Sequence, residues 1–182
     1  MEILYKKIVD TFNANKAVFT DKGLPEIRQI DINYGQLDHV EDFEIFLPGI
    51  FIGWEIIEDN INEPSLARLD FHLAQDPGVN TESFSQTLEA GMEYILMIKT
   101  VKYILNKLRA SNTSGLVYAG EIPQITPYLR YHVISYQCFI DKVHDSLTGG
   151  KTEDVTLIDY TKDFKQQNKI DVPLTPDIET MT

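Results

Sequence analysis

Hydrophobic positions recur along this chain at two spacings, four residues and two, with polar breaks between. Leu4, Ile8 and Phe12 stand four apart, which predicts a helix over residues 2–14 with one apolar stripe. Asn13, Asn15 and the run Gly23, Leu24, Pro25 stop it. Residues 27–34 (IRQIDINY) alternate unevenly and suggest a short strand, and 35–42 are polar and turn-like. Residues 43–58 (FEIFLPGIFIGWEIIE) are nearly all apolar. As a strand they send Ile50, Ile52, Trp54 and Ile56 to one face and Phe51 and Ile57 to the other. Pro48 belongs at its edge or start, because proline cannot donate to a central ladder. A strand apolar on both faces needs cover on both, from its own core and from a second layer or another subunit.

After a turn at 60–65 the pattern over 66–75 becomes strict: Leu69, Phe71 and Leu73 on one face, Arg68, Asp70 and His72 on the other. That is a half-buried strand, ended by Asp76, Pro77 and Gly78. A long helix follows over 83–109. Ser83 and Gln86 have capping-box spacing. Phe84, Leu88, Met92, Ile95, Ile98, Val101, Leu105 and Leu108 form one stripe. Tyr94, Met97, Val101, Ile104 and Leu108 form a second beside it, giving an apolar face wider than a simple surface helix requires. Residues 111–115 (SNTSG) end it. Strands are expected over 115–125 and 128–140, separated by Thr126 and Pro127. In the last, Ile134, Tyr136, Cys138 and Ile140 oppose Tyr131, Val133, Gln137 and Phe139. The order predicts an α+β fold: an antiparallel sheet packed with one long central helix and a short N-terminal helix, over residues 1–147. From about Thr148 the chain becomes polar and charged, an extended acidic C-terminal arm over 148–182. Its residues 155–160 have strand character, and Pro173 and Pro176 favour extended chain.

Composition narrows the function classes. At 182 residues and 43% hydrophobic, the chain suits one globular domain with an arm. The apolar run 94–98 falls far short of a membrane span, and the N-terminus lacks a signal peptide's continuous apolar stretch, so no membrane is expected and synthesis is expected to be cytosolic. Cys138 is the single cysteine, which excludes an intrachain disulfide and reads as a buried, inert thiol. The net charge of −12 disfavours general binding to phosphate backbones.

Candidate chemistry is sparse. Residues 149–152 (GGKT) imitate the end of a phosphate-binding loop, but Asp145 stands where that motif needs glycine, and acidic, strand-like residues follow instead of a helix. Asp70 and His72 share a strand face, and His132 on a neighbouring strand would complete a divalent-metal set for a hydrolase. Glu55, Glu58 and Asp59 offer carboxylates at a strand end, where charges ordinarily face water. Lys99, Lys102, Lys107 and Arg109 gather where a helix C-terminus favours cations. Tyr128, Arg130, Tyr131 and His132 have the composition of a stacking platform for single strands, against the acidic balance. The expectation is a protein without catalytic, cofactor or metal residues.

With its Leu-Pro-Gly-Ile-Phe-Ile-Gly-Trp element over 47–54, the layout resembles bacteriophage tail terminator, or tail completion, proteins. The resemblance covers residues 1–147: a short N-terminal helix, a proline-led apolar strand, an alternating strand, one long helix and a closing strand pair. It implies a non-enzymatic structural protein of the virion neck, made in the host cytoplasm. Its copies would form a ring, typically a hexamer, that caps the tail tube, docks neck or connector proteins and lets DNA pass without specific binding. Phe51, Trp54, Tyr94 and Met97 are the expected subunit contacts, from the apolar excess on the strand and the long helix. The alternative is a module that pairs through a sheet edge.

Overall fold

The computed structural model describes residues 1–58, 64–76, 88–125 and 129–141, all within one compact unit, Met1–Leu147. The helix cap at Ser83, the carboxylate of Asp59, the turn at Thr126 and Pro127, the GGKT stretch and the whole arm lie outside the described residues.

The chain opens with α1 (Glu2–Ala14), which buries Leu4, Ile8 and Phe12 as their spacing predicts. The break after Ala14 is only partial. Asn15 stays bonded to the last turn, its side-chain amide donating to the Thr11 carbonyl at 2.8 Å. A short α2 (Lys16–Thr20), not expected from the sequence, follows and buries Phe19. Among the described residues, five strands and one further helix follow: β1 (Gln29–Ile32), β2 (Gly49–Glu58), β3 (Ser65–Gln75), α3 (Leu88–Leu105), β4 (Val117–Ile125) and β5 (Arg130–Ile140).

The strands form one sheet in the order β1-β2-β3-β5-β4, so the fold is α+β. The sheet is mixed rather than wholly antiparallel: β1 runs parallel to β2, and the remaining pairs are antiparallel. No hairpin joins β1 to β2. Segment 33–48 crosses one face of the sheet, so β2 starts beside the start of β1. The polar-looking crossover carries Leu37, Val40, Ile45 and Leu47, which pack with Phe51, Ala74, Leu129 and Tyr131 into a second, smaller core. Gly49 stands where this crossover enters β2. A Cβ there would lie 3.0 Å from the Phe51 ring and 3.1 Å from the Phe46 carbonyl, so a side chain at this position would push its neighbours aside.

The main core lies on the other face. There Ile50, Ile52, Leu69, Phe71, Leu73, Ile134 and Tyr136 meet Leu4, Ile8 and Phe12 of α1, Phe19 of α2, and Val101 and Leu105 of α3. The register sets Leu69 opposite Tyr136 and Phe71 opposite Ile134, so the two alternating strands place their apolar residues on the same side. Within the helix the second expected stripe has Met97, Val101 and Ile104 buried and Tyr94 half-buried. The first holds only in part, because Met92 and Ile95 are 47% and 37% exposed. The helix also ends earlier than Arg109. Lys107 takes a left-handed φ of 59°, and Leu116 N–H donates to the Leu108 carbonyl at 2.9 Å. That reversal brings Leu108, Ala110 and Leu116 into the core outside helical period. Among the described residues, no helix is long and apolar enough to cross a membrane.

Candidate functional site

On the sheet face opposite the helices, the period of β3 aligns Arg68, Asp70 and His72. The Asn33 side-chain oxygen accepts the Gly35 N–H at 3.2 Å, which turns its amide nitrogen toward His72 Nε2, 3.0 Å away. Nε2 therefore accepts, and Nδ1 carries the proton and donates to the Tyr131 hydroxyl. The two rings stack at 5.5 Å between centroids. Burial lowers the His72 pKa below its ordinary value, against the opposing pull of Asp70 and Asp38. Burial, with the same two carboxylates, pushes Tyr131 up to about 12. Both are neutral at physiological pH, and their polar atoms bond to one another. Beside them, Ser135 Oγ donates to Asp70 Oδ1 at 2.5 Å. Arg68 donates to the same carboxylate at 3.1 Å and to Ser135 at 3.2 Å. These bonds tie the crossover, β3 and β5 together.

His132 corrects the metal expectation. It does sit on the strand next to β3, opposite Leu73 in the register, and that position faces the helices while Asp70 and His72 face away. The three cannot share an ion, and the hydrolase reading loses its ligand set. The same parity separates Tyr131 from His132, so the two do not form one stacking platform. Among the described residues, His39, Glu41 and Asp42 do bring possible ligand atoms within 4.8 Å of one another, all three exposed. An acidic surface gathers such groups without an ion.

On the helix side, His132 Nδ1 lies 3.2 Å from the Tyr94 hydroxyl. Its Nε2 is buried without a hydrogen-bond partner, 3.9 Å from Glu121 Oε2. Burial lowers the His132 pKa, with Glu121 pulling it up and Lys102 pushing it down. Lys102 grips Glu121 at 2.7 Å and lies over the Tyr118 ring, 4.4 Å from its centroid. Partial burial opposes the Lys102 charge, yet the bond and charge of Glu121 leave its pKa raised. Cys138 is buried, and that burial pushes its thiol up to about 11.

The four expected contact residues divide. Phe51 and Met97 are enclosed within the protomer, at 0% and 1% exposure, and are corrected to core positions. Phe51 is covered by the crossover rather than by another subunit. Tyr94 is half-buried, and Trp54 stays 40% exposed.

Among the described residues, exposed apolar side chains lie on the crossover (Tyr34, Phe43, Phe46), on α3 (Met92, Ile95, Tyr103) and along the two lateral margins of the sheet. At one margin β1 pairs with β2 only from Gly49 to Ile52. Beyond Ile52 the outer edge of β2 has no neighbouring strand among the described residues, and Trp54, Ile56 and Ile57 are exposed there, beside Ile32. At the other margin β4 leaves Val117, Tyr118 and Ile122 exposed. The β4 margin went unnoticed in the sequence, although Pro123 was a signal, since proline within a strand points to an edge. Compared with known proteins, this chain matches no family model, and no curated protein matches it.

Proposed function

We propose that this protein is a non-enzymatic assembly component whose copies join side by side into a closed ring, in the role of a phage tail terminator at the virion neck. The observation that carries the reading is the pair of unlike apolar margins, Trp54, Ile56 and Ile57 on one side and Val117, Tyr118 and Ile122 on the other. A ring needs two different, complementary patches on each subunit, so that the contact repeats by rotation until it closes. A two-fold dimer would need only one self-complementary patch. Opposite edges of a single sheet are suitably placed for head-to-tail pairing, and open strand edges add unpaired backbone groups to the apolar side chains. The net charge of −12 supports a passage through which DNA moves without adhering. In this role the partners are further copies of the chain, the tail tube, and the neck or connector proteins.

The test uses two blocked variants. Ile122→Lys charges the β4 margin and Trp54→Lys charges the β2 margin. Light scattering after size exclusion is expected to find a ring for the unaltered protein and monomers for each variant alone. Mixed together, the variants retain one good margin each and are expected to form one-to-one dimers that grow no further. An unaltered protein that stays monomeric at high concentration defeats the reading. So does a mixture that yields no heterodimer.

A further inference from the structure

The crossover 33–48 turns two sets of side chains in opposite directions. Leu37, Val40, Ile45 and Leu47 go inward, to the small core around Phe51. Tyr34, Phe43 and Phe46 go outward, at 63%, 40% and 42% exposure. The rings of Tyr34 and Phe43 meet edge to face, 5.7 Å between centroids. Hydrogen bonds to β1 hold this patch in shape. Tyr34 N–H donates to Gln36 Oε1 at 2.8 Å, and the buried Gln36 amide donates to the Ile32 carbonyl at 2.8 Å. Phe46 N–H donates to Gln29 Oε1 at 2.9 Å. An aromatic surface fixed in this way loses little further freedom when a partner docks on it.

Charge decides what suits the patch. The crossover carries Asp38, Glu41, Asp42 and Glu44, and no lysine or arginine. All four are exposed, and among the described residues none is ion-paired to a lysine or arginine. Glu41 and Asp42, on either side of Val40 and Phe43, bring carboxylate oxygens within 4.8 Å of each other. Like charges that close repel, and a cation beside them relieves the repulsion. The negative faces of aromatic rings attract cations as well. The same chemistry already operates within the chain, where Arg28 lies over the Phe46 ring at 5.6 Å. A nucleic acid or an acidic segment would be repelled here. A purely apolar segment would strip water from the carboxylates and give nothing back. Between the two basic side chains, arginine fits better, because its planar group stacks on a ring while forking to a carboxylate.

We infer that the outer surface of the crossover docks an arginine-bearing segment of a partner protein, its guanidinium groups stacked on the Tyr34 and Phe43 rings and paired with Glu41, Asp42 and Glu44. This contact goes beyond the ring reading and stands without it. The crossover lies on a face of the sheet, and the ring contacts lie along its lateral margins, so both can be made at once.

The experiment uses the full chain carrying Ile122→Lys, so that self-association through the margins does not enter the result. The probe is the acetylated, amidated pentapeptide Ala-Arg-Ala-Arg-Ala, titrated to about 5 mM at low salt while backbone amide and aromatic ring signals are followed by NMR. Saturable shifts centred on Tyr34, Phe43 and Glu44 are expected. The Ala-Lys-Ala-Lys-Ala peptide is expected to bind about threefold more weakly, and Ala-Gln-Ala-Gln-Ala about tenfold more weakly. Replacing both rings (Tyr34→Ser with Phe43→Ser) is expected to weaken the arginine peptide about threefold or more. The comparison of peptides on unaltered side chains keeps the result independent of any folding defect in that variant. Equal binding of the arginine and lysine peptides overturns the inference, since bulk charge alone would then explain it. So does the absence of a saturable, peptide-induced shift. So does calcium chloride that saturates the same signals and leaves no further shift on adding peptide, which would make this a bare cation site.

Discussion

The two halves of β2 carry nearly the same apolar pattern and meet opposite fates. Ile50, Phe51 and Ile52 are enclosed on both faces. Trp54, Ile56 and Ile57 are 40–45% exposed. The strand is continuous, and β3 pairs along both halves. What differs is the company. The first half has β1 on its outer side, helices on one face and the crossover on the other. Once β1 stops at Ile32, the second half has no strand on its outer edge among the described residues. Alternation along a strand says which side chains share a face, and the neighbouring elements decide whether that face meets protein or water.

The largest test of this contrast is truncation in each half. Phe51→Ala removes an aromatic side chain from a full enclosure and is expected to cost about 3–5 kcal/mol. That is about a third of a typical domain's stability or more, and a thermal midpoint lower by roughly 10 °C would report it. Trp54→Ala is expected to cost about 1 kcal/mol or less in the monomer, as a change at a partly exposed site, while weakening self-association. Urea unfolding of both variants in the Ile122→Lys background separates folding from assembly. Equal destabilisation by the two would erase the distinction between the halves.

That same distinction marks what the sequence revealed. The strict alternation of β3 and the two faces of β5 were legible because each side chain's direction follows from parity alone. The stripe of α1 was legible for the corresponding helical reason. The cover over Phe51 was not, because it comes from Leu37, Val40, Ile45 and Leu47 in a crossover whose polar stretch reads as a turn. The parallel pairing of β1 was hidden for the same reason: only the path of segment 33–48 sets its direction. His132 looked available to Asp70 and His72 because a neighbouring strand was the right guess, but the face depends on register. One residue of slip would have reversed it. The exposure of Met92 and Ile95 was equally hidden, since periodicity finds a stripe without saying how far its partners reach.

Loss of one internal hydrogen bond sharpens the picture at the covered end. Asn33→Ala removes the donor to His72 Nε2 and, with it, one side-chain tie between crossover and sheet. About 1–3 kcal/mol of destabilisation is expected, because the ring nitrogen is left without its partner. Faster amide exchange in segment 33–42 than in β3 should accompany it. Unchanged exchange there would mean that the Asn33 N–H bond to the Ile52 carbonyl and the apolar packing of the crossover hold it down without that side chain.

The two buried histidines give a pH signature. His72 and His132 each have a folded pKa lowered below 6.5 by burial. The unfolded chain therefore binds protons more readily than the folded one in the window just below 6.5. Stability is fully present above that value and falls as the pH drops through it toward the folded values. Denaturant midpoints at pH 7.5, 6.5 and 5.5 are expected to decline in that order. His72→Gln and His132→Gln should each flatten the decline, and an unaltered slope in both would show that other groups govern it.

The smallest expected effect lies at the opposite margin, where Lys102 joins α3 to β4 through Glu121. The pair is short, at 2.7 Å, but both side chains are 32% exposed, so water screens it. Exposed pairs of this kind contribute roughly 0.2–1 kcal/mol. Lys102 also covers the Tyr118 ring with its ammonium group, adding a contribution of about 0.5–1 kcal/mol at an exposed site. Lys102→Met keeps the stem and removes both interactions, so a loss near 1 kcal/mol is expected, shrinking as salt is raised. The readout that matters is the margin itself. If Lys102 helps hold β4 against α3, then Lys102→Met should speed amide exchange in β4 while leaving β2 unchanged. A loss that ignores salt and leaves β4 exchange untouched would mean that β5 pairing alone keeps β4 in place.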